Sequence, residues 1–272
     1  MKRWSVLLSA VVGLMVLVFA LSTPYSERSA TPPGRKSLPV GNESAVQRFT
    51  VNDRLAHYAQ QVETRLRPAF LRRGLVYPPT EIALLGFKQE RRVELWSRRD
   101  SPGAPWQKIK TYPFTAFSGA LGPKLREGDL QIPEGIYQVS ALNPNSSYHL
   151  SLKINYPNAF DLHYAQQEGR KFPGTNIFLH GRDKSVGCIA LGDPAIEELF
   201  VLVASVGKDR VKVIIAPYDF RGAAAGKKAQ AKKALAAPGV VRPAWLPVLY
   251  NEIRQALSPF QVAADKPAAT TR

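Results

Sequence analysis

The sequence predicts a mainly β fold (α+β class) with helices at its flanks, and three observations lead there. From about residue 80 to 218, short runs either alternate apolar with polar residues or stay apolar throughout, and Gly, Pro and Ser punctuate them. Upstream, Val46, Phe49, Leu55, Val62, Leu66 and Phe70 recur at roughly helical spacing among charges. Downstream, Trp245 to Leu257 has the look of a closing helix.

Taken in order, 44–74 reads as a helix, and Pro78-Pro79 closes that segment. Glu81–Phe87 and Arg92–Trp96 fit two strands. A Pro-Gly turn at 102–103 precedes a third at Trp106–Tyr112. Gly135–Val139 and Tyr148–Ile154 alternate as half-buried strands do. A helix begins at Asp193, read as an N-cap with Pro194 at the first helical position and Glu197 and Glu198 near the positive end. Val211–Ile215 returns to strand, and no internal repeat interrupts the series. The expected organisation is an export segment (1–23), a tether (24–43), a helical segment (44–77) and a catalytic-type domain (78–218). An Ala/Lys-rich linker (219–242), a C-terminal helix (243–260) and a disordered tail (261–272) complete it.

At 272 residues and 45% hydrophobic, the chain has an ordinary core to bury. Lys2 and Arg3 precede an uncharged run from Trp4 to Leu21, the pattern of a signal peptide or a signal anchor. Either form places the rest of the chain outside the cytoplasmic membrane, in the periplasm or cell envelope, with residues 4–21 as the membrane tether if retained. The net charge of +16 and pI of 10.1 would ordinarily point to nucleic acid, but export and the lack of any nucleic-acid motif exclude that partner. The Lys227, Lys228, Lys232 and Lys233 cluster reads as a solvated face or an attraction to acidic surfaces.

Cys188 is the only cysteine. Exported proteins usually carry cysteines in disulfide pairs, and a lone thiol outside the cytosol is an oxidation liability, so a reactive role gains weight. A thiol attacks as the thiolate and needs a base beside it, commonly histidine. His180 ends one apolar run and Cys188 begins the next, so a strand–loop–strand excursion can bring them together. Gly187 permits a close backbone approach and can turn N–H groups toward an oxyanion. With no second thiol and no His-Glu-x-x-His run, zinc is not expected, and no cofactor is called for. A papain-type protease would carry its cysteine upstream of its histidine, the reverse of the order here.

The stretch "GTNIFLHGRDKSVGCIALGD", with "AFSGALGPKLREGDLQIPEGIYQV" and "NPNSSYHLSLKINYPNAFD" upstream, resembles the L,D-transpeptidase (YkuD-type) catalytic domain, in its YafK-like branch. The resemblance implies a β-sandwich built around a cysteine nucleophile acting on peptidoglycan stem peptides. Carried over by position, Cys188 is the nucleophile, His180 its base, and the Gly181 carbonyl orients the imidazole. Backbone N–H groups near Gly187 and Cys188 make the oxyanion hole. Beyond that carry-over, Ser185 is a candidate to position the cysteine loop or a solvated loop serine, Arg182 a candidate to meet a stem-peptide carboxylate or an exposed charge, and Tyr156, Asn158 and Asp161 are candidates to line the cleft. Asn158 and Asp161, beside Pro157, are equally good turn formers. Two departures stand out: Val186 and Ala190 occupy positions where the common pattern has a histidine and an Arg or Asn. The chemistry left open is transfer to an amine, giving cross-links or an attached protein, or hydrolysis that trims stems or releases a wall-linked lipoprotein. A non-catalytic wall-binding module is the reading from another class.

Overall fold

The computed structural model describes residues 48–222 and 242–261, together with Ala236. The export segment, the tether, most of the Ala/Lys-rich linker and the tail from 262 lie outside the described residues. No helix among the described residues is long and apolar enough to cross a membrane.

Eight strands make one mixed sheet: β1 (Ile82–Phe87), β2 (Arg92–Ser97), β3 (Gln107–Pro113), β4 (Gly135–Ser146), β5 (His149–Ile154), β6 (Phe178–His180), β7 (Ile189–Ala190) and β8 (Val211–Ala216). Their order is β3-β2-β1-β8-β4-β5-β6-β7, with β1/β8 and β6/β7 parallel and the other pairs antiparallel. The expected mainly β architecture with flanking helices is present. Its strands form one continuous order, because β4 pairs β8 along its first residues and β5 along the rest.

The apolar run of β1 explains its place in the middle. Ile82 and Leu84 face one cluster, with α1 (Val51–Leu71) and α3 (Asp193–Val206); Ala83, Leu85 and Phe87 face another, with α4 (Leu246–Leu257). A strand covered on both faces has no polar side to alternate with. β3 is an edge strand, and Lys108 and Lys110 mark it as edges are commonly marked.

The first helix starts later than its apolar spacing predicts. Thr50 is the N-cap and shares a reciprocal capping box with Asp53, so Phe49 stays outside, and residues 44–47 are not described. Tyr58, Val62, Leu66 and Phe70, four residues apart, form its buried stripe. Asp193 is not the N-cap of α3. Gly192, at φ +79°, takes that position, and the Asp193 carboxylate serves a neighbouring turn instead. Glu198 does more than favour the helix end: it is buried and accepts from Tyr112 Oη at 2.9 Å and Lys110 Nζ at 2.7 Å, with Arg65 at 3.2 Å. It thus joins α3 to β3 and α1. A further helix, α2 (Ala159–Gln167), was not expected.

Two charged groups are wholly buried where the site is held. Lys88 Nζ donates to the carbonyls of Gly122 at 2.7 Å and Ile132 at 2.9 Å, and lies 3.0 Å from Glu134. The other Glu134 oxygen accepts from Tyr250 Oη of α4 at 2.8 Å. Burial pulls the Lys88 ammonium down and the adjacent carboxylate holds it up. This network pins the 119–134 segment between the sheet and the last helix.

Candidate active site

The period of two in β6 and β7 sorts the site from the core. Ile177, Leu179 and Ile189 enter the core, which turns Phe178, His180 and Cys188 to the other face. Leu179 pairs Ile189 and His180 pairs Ala190, so Cys188 falls opposite Phe178, two positions from His180 on the same face. The link, residues 181–188, is shorter than the dozen or so residues that a parallel connection ordinarily needs. It suffices because both strands are very short. The strand–loop–strand excursion expected from the sequence is therefore present.

His180 is buried, and its Nδ1 lies 2.7 Å from the Gly181 carbonyl oxygen. A carbonyl can only accept, so Nδ1 carries the proton and Nε2 keeps its lone pair. Burial lowers the imidazole pKa, while the Gly181 bond opposes this. The Tyr148 ring packs against the imidazole at 4.5 Å between centroids. Glycine is required at 181 by space: a Cβ there would stand 2.5 Å from Asp193 Oδ1 and 2.8 Å from the Tyr148 carbonyl. Asp193 Oδ1 accepts from the Arg182 N–H at 2.8 Å, and Thr115 Oγ1 donates to the Arg182 carbonyl at 2.6 Å. These bonds hold Arg182 at φ +57° and fix the turn that aims the Gly181 carbonyl.

Cys188 is half-buried, with Sγ 3.8 Å from the Asn176 carbonyl oxygen. Burial pushes its thiol up; a backbone bond at Phe178 and the Lys124 charge pull the other way. Ser185 Oγ donates to the Cys188 carbonyl at 2.6 Å and lies 3.0 Å from Ser118 Oγ, so it sits where a positioning role requires. Gly187, at φ +92°, takes a backbone conformation that L side chains avoid, and its N–H donates to Ser118 Oγ at 2.7 Å. The Gly187 N–H, one of the backbone donors expected near the oxyanion, is thus engaged by Ser118 in this structure.

The remaining expected residues lie elsewhere in the local structure. Asn158 is the N-cap of α2, with Asp161 as its capping-box partner, and Asn158 Nδ2 donates to the Ile136 carbonyl at 2.9 Å. Tyr156 is buried, and Oη donates to the Pro173 carbonyl at 2.8 Å. These bonds serve the local fold, and for Asn158 and Asp161 they are those of a helix cap. Arg182 is exposed, and its side chain makes no ion pair among the described residues. Val186 is exposed, while Ala190 is buried and bridges to Ala116.

Four supporting residues were not singled out from the sequence: Thr115, Ser118, Lys124 and Gln131. Lys124 is buried and bonded to Asp129 at 2.6 Å, close enough to bias the thiol. A Cβ on Gly187 would stand 3.3 Å from the Gln131 carbonyl. The local signal was the Ser-Gly and Gly-Pro punctuation of 118–123, which marks a loop without saying what it faces. Among the described residues, no three His, Cys, Asp or Glu side chains are grouped to hold a metal ion.

A buried histidine aimed by a backbone carbonyl shares one face, at the edge of a mixed sheet, with a half-buried thiol, an arrangement with the parts that cysteine acyl chemistry requires. Residues 89–215 match the family model described as the L,D-transpeptidase catalytic domain (YkuD). The chain is 34% identical over 137 residues to the Escherichia coli (strain K12) protein named "Putative L,D-transpeptidase YafK", covering 48% of this chain and 52% of that protein. It thus spans about half the length of the curated relatives it matches. Among solved structures, the helical cell shape determining protein Pgp2 from Campylobacter jejuni is 24% identical, with a TM-score of 0.41 over 53% of this chain and 50% of that one. L,D-transpeptidase 1 from Mycobacterium tuberculosis is 14% identical, with a TM-score of 0.29 over 50% and 62%.

Proposed function

We propose that Cys188 is the nucleophile of acyl transfer on peptidoglycan stem peptides in the cell envelope. The observation that carries this reading is the His180–Gly181 bond of 2.7 Å, which commits Nδ1 and leaves Nε2 as a base on the face shared with the thiol. Sγ adds to the carbonyl carbon at the L-centre of the third, diamino-acid residue, and Nε2 takes the thiol proton. The oxyanion is received by backbone N–H groups near Gly187 and Cys188. The carbon–nitrogen bond then breaks, the leaving amine takes the proton from Nε2, and a thioester remains on Cys188.

An amine acceptor then gives a cross-link or an attached protein; water gives hydrolysis. Defined tetrapeptide muropeptides, incubated with and without an amine acceptor, separate these fates. Cross-linked product identifies transfer, whereas tripeptide or freed peptide alone identifies hydrolysis. A Cys188→Ala protein that processed muropeptides at the wild-type rate would sink the proposal. Salt-sensitive binding to sacculi without acylation of Cys188 would identify a wall-binding module instead. Export through the 4–21 segment, cleaved or retained as a tether, belongs to the same proposal.

A further inference from the structure

Beside the cysteine loop, the 120–131 segment and the 170–172 turn enclose a groove of about 580 Å3. Leu121, Pro123 and Leu125 give it an apolar side, and Phe172, 77% exposed, stands at its lip. Three cations and one carboxylate also border it, but only two of the four are available. Asp129 is consumed by four bonds: from Lys124 Nζ at 2.6 Å, and from the N–H groups of Leu125 at 2.8 Å, Arg126 at 3.0 Å and Gln131 at 3.1 Å. Arg170 is engaged by Glu168 at 2.6 Å and by the Leu125 carbonyl at 2.8 Å. Arg126 and Lys171 are exposed and form no ion pair among the described residues. The groove therefore combines an apolar wall with two uncompensated positive charges.

Its walls connect to the chain on either side of the cysteine loop. Gln131 lines the groove, and its carbonyl is the near neighbour of Gly187. On the other side, the Phe172 carbonyl accepts from Glu127 N–H at 3.0 Å, and Glu127 Oε2 accepts from Thr175 N–H at 2.9 Å. The following residue, Asn176, lays its carbonyl 3.8 Å from Sγ. Arg182, the residue expected to meet a carboxylate, does not line this groove.

We propose that the groove is the subsite for the free D-centre carboxylate of the diamino acid whose L-centre carbonyl is attacked. Arg126 and Lys171 receive the anion, and Leu121, Leu125 and Phe172 receive the aliphatic stem. The inference rests on the reading of Cys188 as acting on stem peptides. In such a peptide the D-centre of the diamino acid carries a carboxylate on the same residue as the attacked carbonyl, joined to it by a short aliphatic chain. An apolar wall ending in two cations complements the aliphatic chain and the carboxylate of that residue, with the D-centre ammonium turned away from Arg126 and Lys171.

The test uses the full chain. In a Cys188→Ala background, the Kd is measured for L-Ala–D-Glu–diaminopimelate–D-Ala and for the same peptide amidated at the diaminopimelate D-centre. The acidic peptide should bind about tenfold tighter, and R126Q/K171Q should remove that difference while leaving the amidated peptide's affinity unchanged. In the otherwise wild-type protein the same pair should raise KM and leave the rate of Cys188 alkylation by iodoacetamide unchanged. Turnover with no preference for the acidic peptide, or with no effect of the double variant, overturns the groove while the nucleophile reading stands. A preference without turnover does the reverse, and neither binding nor turnover overturns both.

Discussion

The resting charge state of the site can be predicted from burial and tested by pH. Cys188 is pushed up by burial, and His180 is pushed down by it, so near neutrality both are uncharged rather than a standing thiolate–imidazolium pair. A thiol of ordinary pKa is about 3% thiolate at pH 7, and one raised above that holds less. Alkylation of Cys188 by iodoacetamide should therefore climb about tenfold per pH unit between 6 and 8, with no plateau at low pH. Lys124 is the perturbation within the protein. Its charge draws the thiol downward, so Lys124→Met raises the thiol pKa further and slows alkylation at pH 7, by tenfold for each unit of rise. Asp129 keeps three backbone donors in that variant, so its carboxylate is not left bare. Acyl transfer should persist to lower pH than an ordinary histidine base permits, because His180 must be protonated to lose its role. A reactivity plateau between pH 5 and 7 that vanished in His180→Ala would refute the reasoning, since only a preformed ion pair produces one.

Three other outcomes are expected. Lys88→Met strands the Glu134 carboxylate in the core and should cost about 3–5 kcal/mol in urea unfolding, with much of it recovered in K88M/E134Q; a loss under about 1 kcal/mol would mean the pair anchors nothing. Burial pushes the Asp161 carboxyl up to about 6 from its usual 3.8, so the folded state binds the proton more tightly than the unfolded one. Stability from this group thus rises as pH falls from 7 toward 4, by about 1 kcal/mol between pH 7 and 5, and Asp161→Asn should erase that slope. Gly181→Ala drives a Cβ to 2.5 Å from Asp193 Oδ1, displaces the carbonyl that aims His180, and should lower acyl transfer by about 100-fold while Cys188 remains alkylatable.

Sheet, flanking helices and the Cys–His pair were legible because each leaves a local mark. β1 and β8 are apolar throughout, as strands buried on both faces must be. His180 and Cys188 each stand where an apolar run meets a loop, and a short return brings them to one face. α2 escaped because Ala159–Gln167 has almost no apolar stripe, and Tyr-Pro-Asn before it reads as a turn. The Asn158–Asp161 box is itself a helix signature, visible only when that turn is read as a cap. The polar frame of the cysteine loop was out of reach for another reason. Ser118 lies 69 residues from Gly187, and Thr115 lies 67 from Arg182. Nothing in the periodicity of either segment encodes a contact at that range; the order of the sheet makes it.

The docking of α4 has a consequence for how the protein is made. Ala83, Leu85, Phe87 and Trp96 are translated early, but the side chains that cover them, Leu249, Tyr250, Ile253, Leu257 and Phe260, come more than 150 residues later. Tyr250 also closes the polar network around Glu134. As the nascent chain emerges, the segment that holds His180 and Cys188 is complete while one side of its sheet is still bare. Final folding must therefore wait for residue 260. A fragment cut at the edge of the matched region, residue 215, would carry the whole reactive pair and expose that apolar side. It should aggregate or need a chaperone, although every residue assigned to chemistry is present.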